Sequence, residues 1–481
     1  MKLDYKKTIC VGFAFFLISM FWQVYDTVVA KILIDSFGLN QFWSGAVLAL
    51  DNVIAVVLLP VFGKLSDDTN TKWGKRTPYI VIGTVLAAAL IVVIGIIDRV
   101  QLNHLAAANI GAIEEVGDVF IYNGQEFLTK ADAVAVRDAA VKVVTQNNTF
   151  TFVAFIGVLF FVLLAMASFR TPAVSLMPDV TVKPLRSKAN AIINLMGSAG
   201  GILSLGMLAL LAHDYQSYVL VFIVLAVLMI LALGAFLFTV NEKKLVAKMQ
   251  QEAIEYGIAT EEEIKETNDV TVKEKMPKDV LKSFLLILTS IIFWFMAYNA
   301  ATSKFSVYAT NELNIGYSFP LMIAQGAAIV SYLPIGMIAT KLGRKKTILL
   351  GICELFLAFV LGSFATESTK WFVYLIMPIA GIGWATINVN SYPMIVEMSK
   401  GSNVGKYTGF YYTASMTAQI ITPMLSGLLM DTIDNRVLFP YSAVFCILAF
   451  ITMNFVKHGD SKAVPTDKKQ VFENTINALD D

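Results

Sequence analysis

The stretch Gly63-Lys64-Leu65-Ser66-Asp67-Asp68, followed four residues later by Trp73-Gly74-Lys75-Arg76-Thr77-Pro78, lies between two long apolar runs. Before it comes 42–63, in which Asp51 is the single charge, and after it 78–97, which has none. A helix rises 1.5 Å per residue, so about 20 apolar residues cross a hydrocarbon layer about 30 Å thick. The quoted stretch therefore reads as a short loop at one membrane face, joining two spans. Gly63 permits close approach of helices, Asp67 can meet the positive end of another helix, and Lys75 with Arg76 makes the loop basic. Basic loops stay on the cytoplasmic side.

Working outward, the same division into apolar runs and charged breaks continues along the chain. Spans are expected at 9–34, 42–63, 78–97, 150–172, 188–212, 217–239, 283–309, 318–340, 346–366, 371–396, 406–430 and 437–457. The composition agrees: 57% of the 481 residues are hydrophobic and 15% charged, with a mean hydropathy of +0.67. That is too apolar for a water-facing surface, so the lipid bilayer is the expected partner. A formal net charge of +1 gives no reason to expect nucleic acid. Cys10, Cys353 and Cys446 sit in separate runs without the spacing of metal or redox pairs. The first run follows Lys2, Lys6 and Lys7 but is too long for a signal peptide, and it is taken as a retained span.

The chain divides into an N-terminal half (1–240), a linker (241–282), a C-terminal half (283–457) and a tail (458–481). Pro334-Ile335-Gly336 followed by Gly343-Arg344-Lys345-Lys346 repeats, in the second half, the order Pro60-Val61-Phe62-Gly63 and Gly74-Lys75-Arg76 of the first. Duplicated six-helix halves are a property of transporters that rock about a midplane site. Basic residues at 64–76, 183–188 and 341–346, with Lys400, Lys406 and Lys457, Lys462, Lys468 and Lys469, alternate with sparsely basic loops. Both termini and the linker are then cytoplasmic, in a multi-pass protein of the cell membrane. The run Glu261-Glu262-Glu263 reads as a solvated face of the linker. An outer insert of about fifty residues, 98–149, is expected to hold a hairpin over 118–129 turning at Asn123-Gly124, then an amphipathic helix over 131–144.

The quoted loop resembles the loop signature of the major facilitator superfamily. Its ending Gly-Lys-Arg-Thr-Pro narrows the resemblance when taken with Phe169-Arg170-Thr171-Pro172, Leu176-Met177-Pro178-Asp179 and Asn390-Ser391-Tyr392-Pro393. Together these resemble the glycoside-pentoside-hexuronide cation symporter family, on its sucrose-transporter-like side. The resemblance implies an all-α membrane fold of twelve transmembrane helices in two pseudo-symmetric halves. It also implies symport of a glycoside with a proton or sodium ion. Melibiose-type relatives carry sodium-binding carboxylates in the second span, where this chain has Ala55 and Leu59, so the resemblance favours the proton. Gly63, Asp67, Gly74, Lys75, Arg76, Arg170, Asp179, Gly343 and Arg344 are the expected gating residues.

Ionisable groups inside spans are expensive, and so are functional candidates. Asp26, in Trp22-Gln23-Val24-Tyr25-Asp26, lies near the middle of the first span and Asp51 near the middle of the second. Taking a carboxylate out of water disfavours its charged form, which suits proton gain and loss near neutrality. His104, His213 and His458 fall at span edges or outside, which leaves Asp26 and Asp51 as coupling groups. A structural role, with Asp26 bonded to its neighbours or to Lys31, is the alternative. Arg170 is either an anchor at the membrane face or a buried counter-charge, and Glu354 of the ninth span is placed near the cytoplasmic end of the bundle. A sugar site needs flat apolar surface for the ring and amides or hydroxyls for its hydroxyl groups. Trp22, Gln23, Tyr25, Asn299, Lys304, Gln325, Trp384, Asn388, Asn390 and Gln419 supply them, although aromatics in spans also serve as packing.

The reading reached is a secondary active transporter that carries a sucrose- or maltose-like glycoside with a proton, by alternating access, as a monomer with no cofactor and no metal. A lipid or amphipathic-drug transporter of the same fold and a non-transporting solute receptor are the competing readings. An enzyme is not expected, because no His-rich cluster, nucleophile motif or phosphate-cradling glycine loop is present.

Overall fold

In a computed structural model the described residues are 3–29, 31–39, 41–116, 119–128, 130–211, 217–258, 277–305, 308–309, 312–315, 318–399 and 403–460. The run Glu261-Glu262-Glu263, Lys400, the tail lysines 462, 468 and 469, and the expected hairpin's end residues 118 and 129 lie outside them.

The first half consists of α1 (Tyr5–Val24), α2 (Gln41–Asp68), α3 (Thr77–Ala107), α4 (Lys130–Asn147), α5 (Thr149–Asp179), α6 (Arg186–Leu211) and α7 (Val219–Thr239). Helix α8 (Glu242–Glu255) opens the linker. The second half consists of α9 (Lys278–Ser303), α10 (Ser318–Leu342), α11 (Arg344–Gly362), α12 (Val373–Glu397), α13 (Val404–Thr432) and α14 (Leu438–Asn454). Among the described residues ten helical segments are long and apolar enough to cross a membrane. The other two expected spans are α11 and α13. Helix α11 begins Arg344-Lys345-Lys346 and carries Glu354, while α13 is rich in Thr, Ser and Tyr because much of its surface meets other helices rather than lipid.

Several ends differ from the expected spans. Helix α1 passes into π-helical turns at Tyr25–Val29 and Ile32–Ser36, a local widening frequent at functional sites. Helix α2 stays helical to Asp68, so the loop shrinks to 69–76. Helix α3 continues ten residues past the expected end at 97, and α5 runs through Pro172 and Pro178 to Asp179 rather than stopping at 172. The seventh span ends at Ser303, which makes Lys304 its cap and not an interior residue.

In the outer insert β2 (Val119–Tyr122) pairs antiparallel with β3 (Gln125–Phe127), and Asn123 and Gly124 both have positive φ, as a two-residue primed turn requires. A further strand, β1 (Glu114–Val116), pairs with β2. The expected amphipathic helix is α4.

Within the first half α1 packs on α6, and α3 packs on α5 and α7; within the second, α12 packs on α10 and α11, and α9 on α14 and α13. Between the halves α2 meets α13 and α6 meets α10. Helix α2 and α13 touch at Gly63 and Gly405, where a Cβ on either would overlap the other's carbonyl, and again at Gly409 and Pro60. The polar bonds between the halves gather toward the end that carries the 69–76 loop. They include Asp67 to Gly405 and Lys406, Ser175 to Thr408, Thr413 to Val56 and Arg344 to Ser187.

Candidate functional site

A cavity of about 220 Å³ lies between the halves. Its lining includes Phe15, Arg170, Asn190, Asn194, Phe295, Trp384, Asn388, Tyr412 and Gln419, with Val174, Tyr392 and Tyr411. Three of the expected solute-binding residues, Trp384, Asn388 and Gln419, thus come together. Trp384 stacks on Tyr298 with centroids 4.0 Å apart and planes 5° apart, and Phe295 meets it edge-on at 5.0 Å. One aromatic face is braced by the stack, the arrangement that holds a flat apolar surface rigid.

Arg170, expected either as an anchor at the membrane face or as a buried counter-charge, lines the cavity. Because α5 runs on to Asp179, Arg170 stands inside the bundle and not at the membrane face. Its guanidinium lies over Trp22 at 5.3 Å and over Tyr412 at 4.8 Å, the contacts of a group held among the helices rather than of an anchor at the membrane face. Its Nε has no hydrogen-bond partner among the described residues. Asp26, Asp51 and Arg170 lie within electrostatic reach of one another. Asp26 is accessible, on the stripe Phe15, Ser19, Trp22, Gln23, Asp26 and Thr27 that the other faces of α1 leave open, and it stands in the first π-helical segment. Asp51 is half-buried and accepts from Asn52 Nδ2 at 2.8 Å.

The remaining expected residues scatter. Tyr25 is buried and stacks on Phe21, and neither its hydroxyl nor the Trp22 indole N–H has a hydrogen-bond partner among the described residues. Gln23 is half-buried beside Gly201. Asn299 is half-buried one turn beyond Phe295, its Nδ2 without a partner among the described residues, and Lys304 Nζ lies beside Gly427 of α13. Gln325 is exposed and lies outside the cavity lining. Asn390 is fully buried and donates Nδ2 to Thr386 O of its own helix, its Oδ1 has no partner among the described residues, and it lies outside the cavity lining. Glu354 accepts from Thr386 on α12. Ala55 and Leu59 pack into a small apolar cluster with Ala167 and Met416.

Apart from Arg170, the residues expected to gate gather in or beside two polar clusters at the tied end. In the first, Arg76 bonds Asp179 at 2.8 Å, Asp67 at 2.5 Å and Ser66, and Asp67 also accepts from Gly405 N at 2.9 Å and Lys406 N at 2.8 Å across the halves. The main-chain N–H groups of Lys75, Arg76 and Thr77 all donate to the carboxylate of Glu242, on the linker helix. Helix α3 begins with unpaired N–H groups and a positive dipole end, and Glu242 satisfies both. Gly74, at φ +117°, leaves the room that this carboxylate fills. In the second cluster Arg344 bonds Glu397 at 2.6 Å, Ser187 at 3.1 Å and the Lys183 carbonyl, and Arg186 reaches Glu397 at 3.5 Å. Asp460 accepts from Arg344 N at 2.6 Å and faces Gly343, at φ +87°, repeating the Glu242 arrangement.

Sequence reasoning missed Glu242, Asp460, Glu397, Asn190, Asn194, Tyr298 and Tyr412. The first two follow the last span of each half, and that shared position was the available signal. The others required knowing which face of each helix points inward.

The described residues thus form a bundle of membrane-length helices in two halves, tied at one end around a central cavity of mixed polar and apolar lining. The family model described as Major Facilitator Superfamily matches residues 140–387 and 317–477, and the one described as MFS/sugar transport protein matches 10–96. The chain belongs to the Major Facilitator Superfamily. It is similar to the lactose permease of Lactobacillus helveticus, 40% identical over 63 residues, 13% of this chain and 10% of that protein. It is also similar to the class H tetracycline resistance protein of Pasteurella multocida, 30% identical over 173 residues, 34% of this chain and 42% of that protein. The chain therefore spans less than half the length of these relatives. Among solved structures, the proton:xylose symporter XylE bound to 6-bromo-6-deoxy-D-glucose has a TM-score of 0.63 at 14% identity, covering 96% of this chain and 97% of that one. A bacterial homologue of the iron transporter ferroportin in its outward-facing state gives 0.63 at 12% identity, covering 94% and 99%. These likenesses support the fold.

Proposed function

We propose that the chain is a proton-coupled symporter of a glycoside, of the glycoside-pentoside-hexuronide kind. The observation that carries this is the cavity itself, where a braced aromatic surface, Trp384 on Tyr298, stands among Asn190, Asn194, Asn388, Gln419 and Arg170. A pyranose has one face of C–H groups and a rim of hydroxyls, and those two surfaces match. The sugar-transport description of the family model and the lactose permease likeness favour the same substrate class.

Asp26 and Asp51 are the coupling groups in this reading. Each is within reach of Arg170, so protonation of Asp26 changes the charge that the arginine, and a solute beside it, experience. The apolar packing of Ala55 and Leu59, where melibiose-type relatives hold sodium, supports a proton rather than sodium. The end carrying 69–76 is cytoplasmic in this reading, both termini lie on that side, and the tied halves correspond to an inner gate closed while Asp26 is reached from outside. Six helices on each side of the 241–282 linker form the rocking units in the plasma membrane, and a monomer suffices. The tetracycline resistance likeness keeps drug export as the second reading, which the amide-rich lining disfavours.

Proteoliposome uptake of labelled sucrose, maltose, lactose and melibiose, under an imposed pH gradient or an imposed sodium gradient, tests the proposal. Accumulation of at least one sugar under the pH gradient alone is expected. Uptake of none of them under either gradient would refute the glycoside reading.

A further inference from the structure

Two prolines fall at matching places in the halves, Pro178 in α5 and Pro393 in α12. Proline has no N–H, so the carbonyl four residues earlier loses its helical donor. The orphaned acceptors are the carbonyls of Val174 and Val389. Each one receives its hydrogen bond from the other half. Tyr392, on α12, donates its hydroxyl to Val174 O at 3.0 Å. Asn190, on α6, donates Nδ2 to Val389 O at 2.9 Å and to Asn388 O at 3.1 Å. Each donor is only 3% exposed, yet both border the cavity. The pair therefore joins two things that transport has to couple, the solute's chamber and the contact between halves.

We propose that Asn190 and Tyr392 form a reciprocal latch at the floor of the cavity, released by a hydroxyl-rich solute that competes for their donors. A hydroxyl both donates and accepts. It can accept from Asn190 or Tyr392 and donate to the carbonyl so freed, replacing both sides of the latch. An apolar solute can do neither, and separation of the halves around it leaves donors and carbonyls unpaired, which is costly. The latch is thus a specificity device. Its release by sugar rests on the function proposed above; the latch does not.

Spin labels at Ala108→Cys and Lys370→Cys, exposed at the far ends of the two halves, in protein whose native cysteines are replaced by serine, report the populations of the two arrangements. Without solute, Tyr392→Phe and Asn190→Ala should each shift the ratio of tied to separated conformers by about threefold, and together by about eightfold, the worth of interhelical bonds in membranes. Pro393→Ala returns a helical donor to Val389 O. It should act in the same direction as Asn190→Ala and not add to it, and it carries the test should Asn190→Ala misfold. Unshifted populations in all the folded variants would overturn the latch. With saturating sucrose, maltose, lactose or melibiose, a shift in wild type that the double variant lacks supports release. An equal shift in both overturns release. A shift in neither overturns release by these sugars and counts against the glycoside reading, while the solute-free variants still decide the latch by themselves.

Discussion

Replacing Asp67 by asparagine tests the gate, because its bonds divide by what they depend on. The contact with Arg76 lies within one half and survives any tilt, whereas the bonds from Gly405 N at 2.9 Å and Lys406 N at 2.8 Å exist only while the halves are tied at that end. Hydrogen bonds to a charged acceptor contribute about 1.5–3 kcal/mol each. Asparagine keeps one acceptor oxygen, so one bond is lost and the other weakens to a neutral bond. The tied state then loses about 2 kcal/mol, about a thirtyfold change in the conformational ratio at 1.4 kcal/mol per tenfold. Distances between spin labels at the far ends of the halves read that ratio directly. Asp68→Asn, at the exposed neighbour, should leave it unchanged and serves as the control. A shift of less than about threefold for Asp67→Asn, the size of one ordinary interhelical bond in a membrane, would refute the reasoning.

Glu242→Ala strips the partner from three main-chain N–H groups at the start of α3 and should cost about 2–3 kcal/mol, read as a lower unfolding temperature in detergent. Asp460→Ala, with its bond to the N–H of Arg344, should cost about 1 kcal/mol in the same assay. Arg170→Lys keeps the charge but loses the planar group between Trp22 and Tyr412, so the KM for sugar uptake should rise about tenfold, and an unchanged KM would remove Arg170 from the site. Trp384→Leu removes the surface braced by Tyr298 and should raise KM by a similar factor of about ten, whereas Trp384→Phe should recover part of it.

The helices and the loop at 69–76 were legible in the sequence because apolar length and basic loops are local properties of the chain. The ends were less so. Ending the fourth span at 172 follows from the charged Arg170, which breaks its apolar run, but α5 continues through Pro172 and Pro178, with the Tyr392 hydroxyl on Val174 O opposite Pro178. Placing Arg170 at the end of the span follows from that boundary. Asp67, Arg76 and Asp179 were named from their motifs and do meet, yet Glu242 behind them belongs to a linker that composition marked only as charged. In the cavity, Trp384, Asn388 and Gln419 were found by residue type. Asn390, of the same type two positions from Asn388, is buried away from the cavity lining. Composition names the chemistry a site uses, but helix rotation decides which copies of a residue take part, and rotation is set by neighbours distant in the chain.

Wild type and Asp26→Asn, reconstituted side by side, test proton coupling most directly. Both are loaded with a transported sugar and assayed for uphill accumulation under a pH gradient and for exchange at equal sugar on both sides. Wild type is expected to accumulate sugar, and Asp26→Asn to lose accumulation while keeping exchange. Full uphill transport by Asp26→Asn would contradict the assignment of Asp26 as the coupling group.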